Sequence, residues 1–362
     1  MTDPSLLSAT HAFFKIAVLD AATLAPVSGA TLSLKNGVSY LSDTNGLVAF
    51  YEPGLMNTLV FFAPSHPAYV IASDPLGTGG QAFLTKEGGS GQLLMNKVAS
   101  VPSPPSDDSQ TALLAAPVPP PSSCFGVRAI DRLTRRGIPL VLMRTLEETF
   151  VSDSQGFVAD CRADHAAKLV AFAVTSDGYS LASGSASLQV APGQVATIEL
   201  DRQNVAERLY RITGEGIYRD SYLLGLTTPL AHPLINGLVM GQDLAAEQLF
   251  KGQVFWVWSG TFGPAHPLET ARASAAVSVL PGQAGALDPQ IGVDAQYFIG
   301  ADGSAKAVID NLPPTSTPIE LTSLLSVSAV GETERLFAAY AKLAADSTVA
   351  ARGLAEYNAS KQ

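Results

Sequence analysis

The chain has 362 residues, of which 47% are hydrophobic and only 15% charged, with 31 glycines and 24 prolines. A length of this order holds two to three domains, and the Gly/Pro load implies many turns. The formal charge of −10 argues against a phosphate-tracking basic face, so nucleic acid drops out as a partner. No apolar run reaches the roughly 18 residues of a membrane helix. Met1 to His11 shows no basic region leading into an apolar one, so no signal peptide is visible and localisation stays open. Cys124 and Cys161 are too few for a disulfide framework or a thiolate zinc site, and two unpaired structural thiols are favoured over a single bridge.

An internal duplication organises the first two hundred residues. One copy runs Phe14-Lys15-Ile16-Ala17-Val18-Leu19-Asp20, then Ser42-Asp43-Thr44-Asn45-Gly46-Leu47-Val48-Ala49, then Ser65-His66-Pro67-Ala68-Tyr69. The other runs Phe125-Gly126-Val127-Arg128-Ala129-Ile130-Asp131, then Ser152-Asp153-Ser154-Gln155-Gly156-Phe157-Val158-Ala159, then Thr175-Ser176-Asp177-Gly178-Tyr179. Asp43 and Asp153, Gly46 and Gly156, and Tyr69 and Tyr179 are each 110 residues apart. Alternation around Ile16 and Val18, and around Val127 and Ala129, predicts half-buried strands. Each Asp-x-x-Gly predicts a tight hairpin, with Asp accepting from amides ahead of it and Gly supplying a positive φ. A calcium loop would need further oxygen ligands downstream, and Leu47 to Ala49 supply none, so no metal is assigned.

Pro102, Pro104, Pro105, Pro117, Pro119, Pro120 and Pro121 mark 101–123 as a spacer. This divides the chain into a sandwich over 1–100, a linker over 101–123, a second sandwich over 124–202, and a different domain over 203–362.

In that last part, Gln253-Val254-Phe255-Trp256-Val257-Trp258 predicts an aromatic strand with both tryptophans on one side. Ala295 to Ile299 and Arg335 to Leu343 predict further strands, the second against a local alanine-driven preference for helix. Asp302-Gly303 predicts a hairpin. His232 and His266 each precede proline and lack ligand-spaced partners, so both read as loop histidines. Elbow, Walker and zinc-protease motifs are missing, and no cofactor is implied.

The strand pattern, the Asp-x-x-Gly-x-Val-Ala turn and the following His/Asp-x-x-Tyr element resemble the carboxypeptidase-regulatory-like, transthyretin-like sandwich family. That resemblance implies accessory, stalk-like or carbohydrate-binding-like modules. From Phe125 onward the chain also resembles an uncharacterised bacterial group, planctomycete-like, that joins such a sandwich to a five-bladed β-propeller. The matching residues are Ala206-Glu207-Arg208-Leu209-Tyr210-Arg211, Gly216 to Ser221, Met240-Gly241-Gln242-Asp243 and Leu287 to Asp294. Their propeller is similar to those of glycoside hydrolases, in which carboxylates line a central sugar pocket. The resemblance implies Asp243 and Asp220 as candidate catalytic acids, with Arg219, Gln242, Trp256, Trp258 and Asp294 as candidate ligand-binding residues.

Two departures count against catalysis. Where the family's aromatic strand ends Trp-Gly-Asp-Thr, this chain reads Trp258-Ser259-Gly260-Thr261, and glycoside hydrolysis needs two carboxylates flanking the bond. The 160 residues after 202 also hold only two to three blades of 40 to 50 residues. The expected fold is therefore all-β: two tandem Ig-like or transthyretin-like sandwiches and an incomplete propeller. The expected function is a non-catalytic carbohydrate-associated binding or scaffold protein. A glycoside hydrolase-like enzyme and a structural assembly protein that self-associates, or takes a partner chain, through open sheet edges are the alternatives.

Overall fold

The computed structural model describes residues 12–98, 124–146, 148–162, 164–268, 271–309, 319–328, 333–344, 346 and 348–361. The predicted linker over 101–123 lies outside them. The fold is all-β, and the single short α-helix among the described residues is far too short to cross a membrane. The chain forms two compact units: the first takes the chain up to Tyr210 together with Tyr218–Thr228, and the second takes Arg211–Ile217 and Pro229–Gln362.

The first unit holds the two copies of the repeat as two sandwiches. Copy 1 is built from β1 (Phe14–Asp20), β2 (Thr31–Ser33), β3 (Ser39–Leu41), β4 (Leu47–Phe50), β5 (Leu59–Ser65), β6 (Tyr69–Ile71), β7 (Gln81–Leu84) and β8 (Ser90–Lys97). Copy 2 is built from β9 (Phe125–Asp131), β10 (Leu142–Arg144), β11 (Thr149–Val151), β12 (Phe157–Asp160), β13 (Leu169–Thr175), β14 (Tyr179–Ser180), β15 (Ser185–Gln189) and β16 (Val195–Arg202). One sheet of copy 1 has the order β4-β1-β8-β6, and its counterpart in copy 2 has β12-β9-β16-β14. In each, the first and last long strands pair in parallel. The other sheets, β3-β2-β5-β7 and β11-β10-β13-β15, meet edge to edge through β3 and β11 to make one eight-stranded sheet. That seam is antiparallel, with Thr149 opposite Ser39.

The repeat extends to single hydrogen bonds. Asp43 Oδ1 accepts from Asn45 N (2.9 Å) and Leu47 N (2.8 Å), and Asp153 Oδ1 from Gln155 N (2.9 Å) and Phe157 N (3.0 Å). Ser42 Oγ bonds Ala30 N and Val27 O in copy 1; Ser152 Oγ bonds Val141 N and Ile138 O in copy 2. The hairpin glycines have φ of 67° at Gly46 and 81° at Gly156, the left-handed region that glycine alone enters freely. Apolar residues at every second strand position fill each interior: Ile16, Val18, Phe50, Phe62 and Leu93 in copy 1, and Phe125, Val127, Val158, Phe172 and Leu200 in copy 2.

Cys124 and Cys161 form a disulfide. This corrects the expectation of two unpaired thiols. Cys124 directly precedes β9 and Cys161 directly follows β12, and these neighbouring antiparallel strands pair Phe125 with Asp160, so the register sets the two cysteines opposite one another.

The second unit has two antiparallel sheets. Four strands, β17 (Ala245–Phe250), β18 (Gln253–Thr261), β19 (Arg272–Val279) and β20 (Gln296–Tyr297), form one; β21 (Ile319–Val327), β22 (Arg335–Leu343) and β23 (Val349–Glu356) form the other. Phe250, Phe255, Val257, Ala273 and Ala275 pack face to face against Leu321 and Leu336. Ser259 Oγ joins the two sheets, donating to Leu321 O and accepting from Leu321 N, both at 2.7 Å. The segment 335–343 is a strand despite its alanines, because Leu336 and Ala341 supply it with buried positions.

Candidate functional site

In the second unit the alternation of β18 sends Phe255 and Val257 into the core between the sheets and sends Trp256 and Trp258 to the opposite face. The two indoles lie parallel at 9°, with centroids 6.1 Å apart. Trp258 is buried, 5.4 Å from the Tyr297 ring, while Trp256 is partly exposed and donates from Nε1 to Ser278 Oγ at 2.8 Å. Beside them, Gln242 Nε2 donates to Thr261 Oγ1 (3.0 Å) and Ser274 Oγ (2.9 Å), and its Oε1 accepts from the Tyr297 hydroxyl (2.8 Å). Both amide hydrogens and one lone pair of Gln242 are thereby used within the fold. Burial pushes the Tyr297 phenol well above its ordinary range, so it stays a neutral donor.

Asp243 is exposed next to this cluster. A Cβ placed on Gly260 would come within 2.1 Å of the Asp243 Oδ1, so the glycine leaves room for the Asp243 carboxylate. A shallow cleft opens in the same unit, lined by Ile212, Gly214, Leu230, His232, Asp294 and Tyr297 among others. Asn236 shapes its wall, donating from Nδ2 to Ala295 O at 2.7 Å. Asp294 therefore lines the cleft. Asp243, Gln242, Trp256 and Trp258 do not, although Tyr297 links Gln242 and Trp258 to it.

Arg219 and Asp220 lie in the first unit, in α1 (Arg219–Leu223). Asp220 is 3% exposed, and its Oδ1 accepts from Ala159 N of β12 (2.8 Å) and from Arg219 Nη1 (3.0 Å). Arg219 also holds both carboxylate oxygens of Glu52 in copy 1, and Glu52 takes the Tyr40 hydroxyl as well. Ser221 N donates to Asp153 Oδ2 at 2.7 Å and its hydroxyl to Gln155 Oε1 at 3.0 Å. Burial pushes Asp220 up to about 7; the Arg219 charge opposes this rise and Asp153 adds to it. Burial raises Asp153 too, against the hydrogen bonds from Ser221. Further along copy 2, His165 Nδ1 sits 2.7 Å from Asp160 Oδ2, and that hydrogen bond raises the imidazole pKa.

Sequence reasoning named Arg219 and Asp220 but not Glu52, Tyr40, Asp153 or His165 as their company. One signal was present. Glu52 and Arg162 occupy equivalent positions of the two copies, and a charge reversal inside a duplicated motif marks a place where the copies differ in what they contact.

No family model and no curated protein matches this chain. Among solved structures it is similar to the Bacillus anthracis TIE protein, at 9% identity and a TM-score of 0.18, over 82% of this chain and 49% of that one. It is also similar to a streptococcal ancillary pilin, at 9% identity and 0.19, over 54% and 63% of the two chains. A third is the shaft pilin SpaA of Lactobacillus rhamnosus GG, at 9% identity and 0.20, over 54% of this chain and all of that one. The chain thus spans about half the length of the TIE protein it matches. Superpositions this loose add nothing to the fold, which rests on the sheets described above.

Proposed function

We propose that this is a non-catalytic binding or scaffold protein associated with carbohydrate. On this reading the two sandwiches are transthyretin-like or Ig-like modules that serve as a stem, and the two sheets of the second unit are blades of an incomplete propeller. One observation carries it: three of the polar groups nominated for chemistry, Gln242, Asp220 and Arg219, are engaged in holding the fold together. Gln242 ties three elements of the second unit to one another, and Asp220 is buried between a backbone amide and a guanidinium. Hydrolysis of a glycosidic bond uses two carboxyl groups roughly 5 to 9.5 Å apart across the bond. Within the second unit Asp294 faces the cleft, and Asp243 lies outside its lining. Stacked indoles with one ring at the surface suit a sugar face better than they suit proton transfer.

The test is a glycan array and pull-down on insoluble polysaccharides with the whole folded chain, beside Trp256→Ala. Retention on at least one polysaccharide, weakened severalfold by Trp256→Ala, is expected. No retention at saturating protein would remove the carbohydrate part. The structural-assembly reading is favoured by a separate feature: β15 and β7 end the eight-stranded sheet, each paired on one side only among the described residues. It predicts a mass by light scattering that rises with concentration.

A further inference from the structure

Where the two sandwiches join, two buried carboxylates, Glu52 and Asp220, hold a single guanidinium, and a third, Asp153, lies near Asp220. Glu52, from the chain just after β4 of copy 1, is 1% exposed; Asp153, from the β11–β12 hairpin of copy 2, is 0% exposed; Asp220 of α1 is 3% exposed. The Arg219 side chain is 21% exposed and lies between Glu52 and Asp220, its Nε and Nη2 on Glu52 and its Nη1 on Asp220. Tyr40 of copy 1 closes the far side of Glu52. From copy 2, Glu148, Asp160, Arg162 and His165 also face this region, with Arg162 on Asp164 (2.7 Å) and His165 on Asp160 (2.7 Å). Among the described residues, β11 meets β3 at one register pair, Thr149 and Ser39. Arg219 adds a side-chain tie across that junction.

We propose that the Arg219–Glu52 contact is a latch holding the two sandwiches together, and that the protonation state of Asp220 sets how firmly it closes. With Asp220 neutral, the guanidinium charge is answered by Glu52 alone. With Asp220 ionised, two buried carboxylates share one cation, and the new charge also faces Asp153 in a low-dielectric site.

The direction with pH follows from the raised Asp220. An acid that ionises near 7 in the fold and near 3.8 when unfolded keeps its proton more firmly in the folded state. Its contribution therefore favours the closed form on the acid side and is lost as pH rises from about 4 towards about 7. Asp153, also raised, acts in the same sense. So does His165: an imidazole raised by Asp160 contributes below the ordinary histidine pKa and is lost as pH rises through its folded value. Comparison with an Asp220 variant separates the latch from His165.

The test is amide exchange of the whole chain at about pH 5.5 and about pH 8, corrected for intrinsic rates. It reads peptides that cover Ser39–Leu41 and Thr149–Val151, in wild type, Asp220→Asn and Glu52→Gln. Wild type should open the seam roughly tenfold more often at the higher pH, and in Asp220→Asn that ratio should fall towards one. Glu52→Gln should exchange fast at both values while the β9–β16 ladder stays protected. Equal pH ratios in wild type and Asp220→Asn would overturn the switch, and unchanged seam protection in a folded Glu52→Gln would overturn the latch. If Glu52→Gln does not fold, the wild-type and Asp220→Asn pair still decides.

Discussion

The two sandwiches share a strand order, a hairpin and a serine-centred core hydrogen bond, and yet they bury different surfaces. In copy 1, β1 alternates between buried and partly open positions, with Lys15 exposed. In copy 2, six of the seven residues of β9 are buried. The difference comes from the chain at 204–210 and 218–228, which packs on copy 2. Arg208 N donates to the Tyr179 hydroxyl (3.1 Å), and its guanidinium lies 5.2 Å from that ring while donating to Pro139 O (2.6 Å) and Ser176 Oγ (2.9 Å). At the position of Lys15, copy 2 has Gly126, where an added Cβ would come within 2.8 Å of the Leu224 side chain. Among the described residues, Asp43 serves its own hairpin alone. Asp153 serves its hairpin with one oxygen and anchors Ser221 with the other. A duplicated module has thus kept its framework and turned one copy into a dock.

Three experiments probe that contrast, in decreasing order of expected effect. The disulfide belongs to copy 2 alone, since Phe13 and Tyr51 occupy the equivalent positions of copy 1. Cys124→Ser with Cys161→Ser should cost the first unit about 2–4 kcal/mol, read by calorimetry. Thiol titration of the native, unreduced protein should find no reactive cysteine, and two titratable thiols would contradict the pairing. Next come the equivalent aspartates. Asp43→Ala should cost about 1 kcal/mol, the worth of a turn cap. Asp153→Ala should cost roughly 1–3 kcal/mol more, because it also leaves the buried Ser221 amide without its acceptor. Equal losses in denaturant melts would mean that the second oxygen of Asp153 carries no weight. Smallest is the effect at the exposed Asp243, where Asp243→Asn should stay within about 0.5 kcal/mol of wild type.

The framework of the first unit was legible because it is local and written twice. Alternation at Ile16 and Val18 and the Asp-x-x-Gly hairpins depend on neighbours in sequence, and their recurrence, at 111 residues for the strand and 110 for the hairpin, exposes them. Long-range facts were not legible in that way. That Arg219 reaches Glu52, 167 residues earlier, depends on how β3 and β11 meet, and no pattern within either segment encodes it. The disulfide is hidden from the sequence for a similar reason: the cysteines flank β9 and β12, and only the register of those strands brings them opposite. In the second unit, strand alternation placed Trp256 and Trp258 on one face. Which of the polar candidates line a cleft depends on loops, where Asp294 and His232 are placed by turns that carry little periodic signal.

The claim that copy 2 is a dock for the chain after it is tested most directly by giving it the side chain of copy 1. Gly126→Lys is compared with wild type, and Lys15→Gly serves as the reciprocal control, by limited proteolysis and melting of the full chain. The account predicts that Gly126→Lys frees 218–228 to cleavage and costs the first unit about 1–3 kcal/mol, as overfilling a packed site does. Lys15→Gly should cost no more than about 1 kcal/mol, the entropic penalty of a strand glycine. If Gly126→Lys melts like wild type and leaves 218–228 as resistant as before, the segment is not seated on copy 2 and the contrast between the copies falls.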